Sequence, residues 1–468
     1  MKFNIRIKNF GKISNASIKI RPFTVIAGPN SSGKSFVTKA LYSFFSTINT
    51  DHVTIETLNR INELKNLNHY LRAILQRPSL AVQDAFNNFS DKIDNVTKTI
   101  EYTFEQNTFT DQVSRSFLLK EAIEELESSF SNFENIISSA SKYSRVRDQF
   151  DIIRLSILNL KKIAENPTEC LVAGIRDGFI NALKENFQVS NINDLKNYHS
   201  KDNEIATFNF DSLGEIEIKK ENLSFTLNAN SIDEFQNLYN VVYLESPVYW
   251  KMVEALSSVR KSKQYLGLTR LKQTNYLTGV PKHFYDLVDL LQNKIKSGEQ
   301  ITLENNSLKN AIGGEIITSK SGDLFFKENG YSKNINLHST ALGVTNLGIV
   351  SLLLEKGILA RGSYLFVDEP EVHLHPSWQK IMIDTLYDLS KKGINIVIAS
   401  HSIDIMKCIE NIMKQEEFDI LDDHFGINQL SENGQSLNIS DNVFKRIASI
   451  KEDLGKSFYS MFVDSKWS

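Results

Sequence analysis

The chain has 468 residues, 41% of them hydrophobic, and a formal net charge of −3. That length suits about three domains with a large buried core, and the near-balanced charge excludes a generally basic nucleic-acid binder, leaving at most a local patch. Two cysteines far apart, Cys170 and Cys408, point to a reducing compartment and away from disulfides or a zinc site.

No apolar run approaches the roughly 18 residues of a membrane span. The opening Met1-Lys-Phe-Asn-Ile-Arg-Ile-Lys8 alternates like a strand and not like a signal peptide. The expectation is a cytoplasmic protein with no membrane partner.

Residues 2–27 read as three short strands, Phe3-Ile5-Ile7, Ala16-Ile18-Ile20 and Phe23-Val25-Ile26, with a turn at Asn9-Phe10-Gly11-Lys12-Ile13. The third strand leads into Gly28-Pro29-Asn30-Ser31-Ser32-Gly33-Lys34-Ser35, which fits G-x-x-x-x-G-K-[S/T] without a mismatch. Phe36, Val37, Ala40, Leu41, Phe44 and Phe45 then mark the buried face of a helix running to about Ile48. Strand, glycine-rich loop and helix in this order are the context a phosphate-binding loop needs. Gly28 and Gly33 let the backbone fold tightly with its N–H groups inward, where they and the positive helix end bind phosphate oxygens. Lys34 can reach the β- and γ-phosphates of ATP, and the Ser35 hydroxyl can hold Mg²⁺.

A long helical region follows, over about 52–198. Ile55, Leu58, Ile61, Leu64, Leu67 and Leu71 form one apolar stripe that ends near Pro78. Val82, Phe86, Phe89, Ile93, Val96 and Ile100, then Ile123, Leu126, Phe130, Phe133 and Ile137, alternate steps of three and four. That spacing fits a helical hairpin or short coiled coil, and equally an ordinary helical subdomain. Residues 204–228 change to strand rhythm, a small antiparallel sheet, and Val241-Val242-Tyr243-Leu244 is a buried strand ended by Pro247.

Residues 248–310 read as helical. Lys251, Arg260, Lys261, Lys263, Arg270 and Lys272 make either a polyanion or partner surface or simply a solvated helix face. A hairpin is expected around Ser321-Gly322. From 337 the pattern is α/β: an apolar helix over Val344–Leu354, a buried strand Tyr364-Leu-Phe-Val367, an amphipathic helix Trp378–Leu389, and a buried strand Ile394–Ile398. A hairpin from Phe425 to Ile439 around Asn433-Gly434 and a final helix close the chain.

The strand Leu365-Phe366-Val367 ends in Asp368 and Glu369. With a phosphate-binding loop upstream, this is the pairing that ATP hydrolysis needs: Asp368 to hold Mg²⁺, usually through water, and Glu369 to orient and deprotonate the attacking water. One strand later, Ala399-Ser400-His401-Ser402 puts a histidine at another strand tip. Tips of parallel strands share the edge where ligands bind, which brings His401 near the γ-phosphate.

Asp368-Glu369-Pro370-Glu371-Val372-His373-Leu374-His375-Pro376, together with the phosphate-binding loop, Ser400-His401-Ser402 and Ile7-Lys8-Asn9-Phe10-Gly11-Lys12-Ile13, resembles the ABC-type ATPases of the SMC, RecF and OLD group. The resemblance covers roughly 1–48 and 240–440, and the middle helices match only in placement. It implies an α/β fold: an ABC-type P-loop ATPase head with a mixed sheet, an antiparallel β subdomain and a long helical, coiled-coil-like insertion. The expected domains are an N-terminal lobe with the P-loop (1–50), the helical insertion (51–200), an antiparallel β segment (201–240), a helical and β subdomain (241–335) and a C-terminal lobe (336–468).

The resemblance also implies a head-to-head homodimer or higher homo-oligomer, with each ATP between one P-loop and the other subunit's signature segment. That segment is here Ser339-Thr340-Ala341-Leu342-Gly343-Val344, in which Ser339 and Gly343 would contact the nucleotide. Close relatives often read Ala-Ser-Gly at its centre, where this chain has Ala341-Leu342-Gly343, and Leu342 has no side-chain donor for a phosphate. The counterpart of the Q-loop is sought at Glu245-Ser246. OLD-type nucleases carry a metal-binding Toprim domain after the ATPase. Here only Asp419, Asp422 and Asp423 cluster, and they read as a loop. No Leu-Ser-Gly-Gly-Gln signature points to a membrane transporter.

A standalone ATPase of this layout looks like the ATPase subunits of bacterial anti-phage systems, the PARIS type first and the Septu type second. The implied function is an ATPase that holds or releases a separately encoded Toprim- or HNH-type nuclease, with DNA or a phage protein as trigger. The alternatives are a RecF- or SMC-like repair ATPase that binds DNA with ATP, and a low-turnover nucleotide-binding scaffold.

Overall fold

The three N-terminal strands form where the apolar pattern puts them: β1 (Phe3–Phe10) and β2 (Ile13–Ile20), which alternate, and β3 (Phe23–Ala27), which is buried throughout. The computed structural model describes residues 2–75, 77–104, 108–138, 141–201, 204–211, 214–220, 222–245, 247–253, 256, 279–292, 307–319, 323–437 and 442–464. By packing, the chain divides into one unit of Met1–Thr47, Phe179–Asn228 and Leu238–Ser468, and a second of Ile48–Gly178 and Ala229–Asn237.

In the first unit the strands separate by direction. β4 (Ala206–Asn209), β5 (Gly214–Lys219) and β6 (Asn222–Leu227) join the N-terminal hairpin in one antiparallel sheet of order β2-β1-β4-β5-β6. β7 (Val241–Leu244), β11 (Tyr364–Asp368), β12 (Asn395–Ser400) and β13 (Phe425–Gln429) join β3 in a parallel sheet of order β13-β3-β12-β11-β7. A third sheet, β8 (Gly314–Thr318), β9 (Leu324–Glu328) and β10 (Asn334–Asn336), is antiparallel. The fold is α/β, a parallel sheet and two antiparallel sheets joined by many helices.

Helix α1 (Lys34–Ile48) lies between the two large sheets. Phe44 meets Phe210 at 4.6 Å beside the antiparallel sheet, and Phe45 meets Tyr364 at 4.8 Å on the parallel one. Tyr42 packs edge-on to Tyr243 at 5.4 Å. Its buried residues therefore run round the whole helix, as expected of a helix enclosed on all sides. On the far face of the parallel sheet, Val25, Leu365, Val367, Ile396 and Ile398 share a core with the helices Leu342–Glu355, Pro376–Lys391 and Ile403–Met413. Tyr364 and Phe366 point instead to α1, in the two-residue alternation of a strand.

The second unit is helical: α2 (His52–Ile74), α3 (Leu80–Thr103) and α4 (Phe109–Ser138) lead it. The three-four stripes of α3 and α4 are buried as their spacing predicts and meet through Phe86–Phe133 at 5.6 Å and Phe89–Phe130 at 5.4 Å. The stripe of α2 is only partly right. Ile61, Leu64 and Leu71 are buried, but Ile55 is 48% exposed and Val53, Thr54 and Thr57 face inward in its place. The rotation follows the first turn, where Asp51 caps the Thr54 N–H and also accepts from Gln112.

Three further expectations change. Asp419, Asp422 and Asp423 lie in a short helix, Phe418–His424, with Asp423 paired to Lys2 at 3.0 Å and Asp422 to Lys19 at 3.6 Å. The expected C-terminal hairpin keeps its turn around Asn433-Gly434, with Leu430 bridged antiparallel to Ser436 and the Leu437 N–H donating to the Gln429 carbonyl at 2.9 Å, and its first arm is in addition a parallel edge strand, β13. Its geometry follows from β3, which offers a free edge to pair with. The apolar helix begins at Leu342, earlier than its apolar run. Of the basic run only Lys251 is described; Arg260, Lys261, Lys263, Arg270 and Lys272 lie outside the described residues, as do Ser246 and Ser321-Gly322. Among the described residues no helix is long and apolar enough to cross a membrane.

Phe133 is fully buried among Phe86, Phe89 and Phe150, so Phe133→Ala should cost about 3–5 kcal/mol. Ile55→Ser should stay within about 0.5 kcal/mol of the parent. Urea unfolding followed by circular dichroism of both variants checks the pair, and equal losses would contradict the observed rotation of α2.

Candidate functional site

The site is built on the carboxyl edge of the parallel sheet. Ala27 at the end of β3 pairs with Ser400 of β12, Asp368 of β11 pairs with Ala399, and Val367 pairs with Leu244 of β7. Parallel register thus sets the loop 28–35, Asp368-Glu369, His401 and Glu245 on one edge, the place where α/β sheets bind ligands.

The loop from Gly28 to Ser35 closes through Ser32 N–H donating to the Pro29 carbonyl at 3.3 Å. Ser31 takes φ +61° and Gly33 φ +98°. A Cβ on Gly33 would also stand 2.6 Å from the tip of the Ile13 side chain, which can turn away, so the left-handed backbone is what calls for glycine there. Lys34 is buried, and its Nζ donates to the carbonyls of Gly28 (3.0 Å) and Pro29 (2.9 Å). Burial lowers its pKa, against the pull of Asp368, Glu369 and Glu371. Those three carboxylates therefore share one electrostatic site with the loop lysine.

Asp368 is buried. Its Oδ2 accepts from Tyr243 Oη at 3.0 Å, and Tyr243 Oη also meets Thr38 Oγ1 of α1 at 2.9 Å. Its Oδ1 has no hydrogen-bond partner, and neither does the buried Ser32 Oγ. Burial pushes the Asp368 carboxyl up to about 6, with Ser35 and Tyr243 acting in the opposite direction. An unpartnered buried carboxylate oxygen beside a serine hydroxyl is costly unless a cation completes it. All-oxygen donors of this kind fit a hard divalent ion such as Mg²⁺.

Glu369 has φ +53°, a strained value for a residue with a side chain, and its N–H donates to the Ala399 carbonyl at 2.9 Å. Its Oε1 lies 3.5 Å from His401 Nδ1. Glu371 comes equally close, Oε1 to His401 Nδ1 at 3.4 Å. Next to the site, Glu245 bonds Lys39 of α1 at 2.7 Å and His283 Nε2 at 2.9 Å. Burial opposes ionisation of Glu245, but the bond from His283 and the charge of Lys39 hold its carboxyl down to about 2.

Ser339 and Gly343 form a second group, at the start of the helix Leu342–Glu355. Ser339 is exposed, and Thr340 Oγ1 donates to the Asn336 carbonyl at 3.1 Å. Gly343 is buried, and a Cβ there would stand 2.7 Å from the His373 carbonyl oxygen and 3.3 Å from Trp378. Glycine at 343 is therefore required by close packing on the 373–378 stretch of its own chain. Ala341, in the N-cap position, has no side chain to cap the helix, which leaves its first N–H groups for a ligand.

Sequence reasoning gave no role to Tyr243, Thr38, Lys39, His283 or Glu371. The signal available for Tyr243 was a hydroxyl within a fully apolar strand, which burial obliges to find a partner.

A parallel sheet carrying a phosphate-binding loop, an acidic strand tip and a histidine tip on one edge defines a P-loop ATPase. The model of the AAA ATPase domain family (AAA_15) matches residues 1–406, and the chain belongs to this family. No curated protein matches the chain. Among solved structures it is similar to an Smc head bound to the C-winged helix domain of ScpA, at 10% identity over 93% of this chain and 95% of that one, TM-score 0.39. It is also similar to the SMC head domain from Thermotoga maritima (11% identity, 87% and 91% covered, TM-score 0.29). A third is the Smc head with coiled coil and joint from Pyrococcus yayanosii (13% identity, 97% and 99% covered, TM-score 0.32). At such scores these are remote likenesses.

Because the Asp368 carboxyl is raised from 3.8 to about 6, the native chain binds more protons than the unfolded one between those values. Stability from this group is therefore present at low pH and lost as pH rises through about 6. Asp368→Asn should raise stability above pH 6 by up to about 3 kcal/mol, with no gain near pH 4. Thermal unfolding of metal- and nucleotide-free protein across this range tests it.

Proposed function

We propose that this chain binds ATP with Mg²⁺ at the described edge, hydrolyses it, and uses the nucleotide state to control a separately encoded nuclease in anti-phage defence. The observation that carries the ATP site is the unpartnered Asp368 Oδ1 beside Ser35 and Lys34 on a shared sheet edge. The backbone of Gly28, Pro29, Asn30, Ser31, Ser32 and Gly33 cradles the phosphates, and Lys34 exchanges its loop carbonyls for phosphate oxygens. Ser35 and Asp368 would hold the metal, which when bound would neutralise phosphate charge. Glu369, partly exposed at the strained turn, accepts the proton of the attacking water, and His401 orients the γ-phosphate.

Two copies closing head to head would bring Ser339 and the N–H groups at Gly343 to the partner's nucleotide. With Leu342 in that segment, backbone donors carry the contact. Closure that needs ATP gives two states, and a nuclease bound to one of them is held or released by turnover. AriA of PARIS is the first counterpart in this reading and PtuA of Septu the second. Both are analogies of family and layout.

Lys34→Ala should weaken ATP binding at least about tenfold, and Glu369→Gln should keep ATP bound while slowing hydrolysis about 10²–10⁴-fold. Radiolabelled ATP binding and single-turnover hydrolysis separate the two. Wild-type turnover in Glu369→Gln would remove the catalytic assignment. Co-expression with the neighbouring reading frame should co-purify a nuclease and protect cells from phage, with protection lost in both variants. Neither association nor protection would end the defence reading.

A further inference from the structure

Glu371 has a carboxylate with 8% of its side chain exposed, placed where the proposed hydrolysis scheme gives it nothing to do. It lies beyond the strand tip, in the tight turn after Glu369. Two residues with left-handed backbone, Glu369 at φ +53° and His373 at φ +62°, flank it. The turn is closed by Val372 N–H to the Glu369 carbonyl and Leu374 N–H to the Glu371 carbonyl, both 3.1 Å. Strain held in place by such bonds marks a segment whose geometry is over-determined.

The hydrogen bonds of the Glu371 carboxylate go to the next strand tip, and its charge also acts on Lys34. Oε1 accepts from Ser400 Oγ at 2.9 Å and from the His401 backbone N–H at 3.1 Å, and it lies 3.4 Å from His401 Nδ1. Ser400 Oγ in turn accepts from the Ser402 N–H at 3.1 Å, so one carboxylate oxygen organises the whole Ser400-His401-Ser402 tip. The other oxygen, Oε2, is buried without a hydrogen-bond partner. A carboxylate is an expensive group to bury for a structural clamp that an amide could make, which argues that its charge is used.

We propose that Glu371 is a positioning residue for ATP hydrolysis, fixing the ring of His401 with its proton on Nδ1 and leaving Nε2 for the nucleotide. The inference rests on the reading that His401 acts on the γ-phosphate. Two carboxylates, Glu369 and Glu371, lie 3.5 and 3.4 Å from Nδ1, which is buried and hydrogen-bonded to neither, and negative charge on that side favours the proton there. Of the two, only Glu371 also binds the backbone of the histidine. It thus sets ring position as well as tautomer, and Glu369 stays available for water. Separations of this length commonly shorten when a ligand seats.

The test uses the full chain. Glu371→Ala should lower kcat about a hundredfold with ATP Kd within about twofold of the parent. Glu371→Gln, which keeps an acceptor oxygen but not the charge, should fall between, and it guards against a folding failure of the alanine variant. In nucleotide-free protein labelled with ¹⁵N-histidine, the His401 ring, assigned through His401→Gln, should show protonated Nδ1 in the parent. It should exchange between tautomers in Glu371→Ala. A double variant, His401→Gln with Glu371→Ala, should be no slower than His401→Gln alone.

Parent-like kcat in Glu371→Ala with hydrolysis lost in His401→Gln would overturn the role of Glu371 alone. Full hydrolysis in His401→Gln would overturn the histidine reading and this one with it. An unchanged His401 ring signal, or losses that multiply in the double variant, would show that Glu371 does not act through the histidine.

Discussion

The molecule depends on the enclosure of α1. A helix with aromatic side chains toward Phe210 on one side and toward Tyr243 and Tyr364 on the other cannot shift along either sheet without opening both cores. Its N-terminus is therefore fixed relative to the strand tips of the parallel sheet. Phosphate binding at a helix N-terminus is useful for catalysis only if that end is held in place against the groups around it, and burial on two faces fixes it against the strand tips of Asp368 and His401.

The same enclosure explains the polar groups buried behind the site. α1 carries Thr38 and Lys39 inward, to Tyr243 and Glu245 at the end of β7. Tyr243 continues to Asp368, and Glu245 to His283. Buried groups of this kind survive because each has a partner across the helix–sheet boundary. Among the buried atoms without a hydrogen-bond partner, Asp368 Oδ1, Ser32 Oγ, Glu371 Oε2 and His401 Nδ1 lie in the loop and strand tips of the candidate site.

Local pattern was enough where one physical rule acted alone. Period-two alternation placed β1 and β2, a short apolar run placed β3, and the glycine-rich loop followed by a further apolar run placed α1. Three-four spacing gave the buried faces of α3 and α4. It misjudged the first turn of α2, because Ile55 and Val53 are equally apolar and a capping bond at Asp51 decides which faces inward. Local pattern placed the turn at Asn433-Gly434 but not the parallel pairing of β13 with β3, because strand pairing partners are not local.

By itself, then, the sequence determined the nucleotide-binding loop, the acidic and histidine strand tips and the segregation of helices from strands, since each is a property of a few consecutive residues. The tertiary structure decided which tips share an edge, through parallel register. It decided why residue 343 is glycine, through the His373 carbonyl beside it, and what Glu371 touches. Those depend on distances between segments far apart in the chain, and no local propensity encodes a distance of that kind.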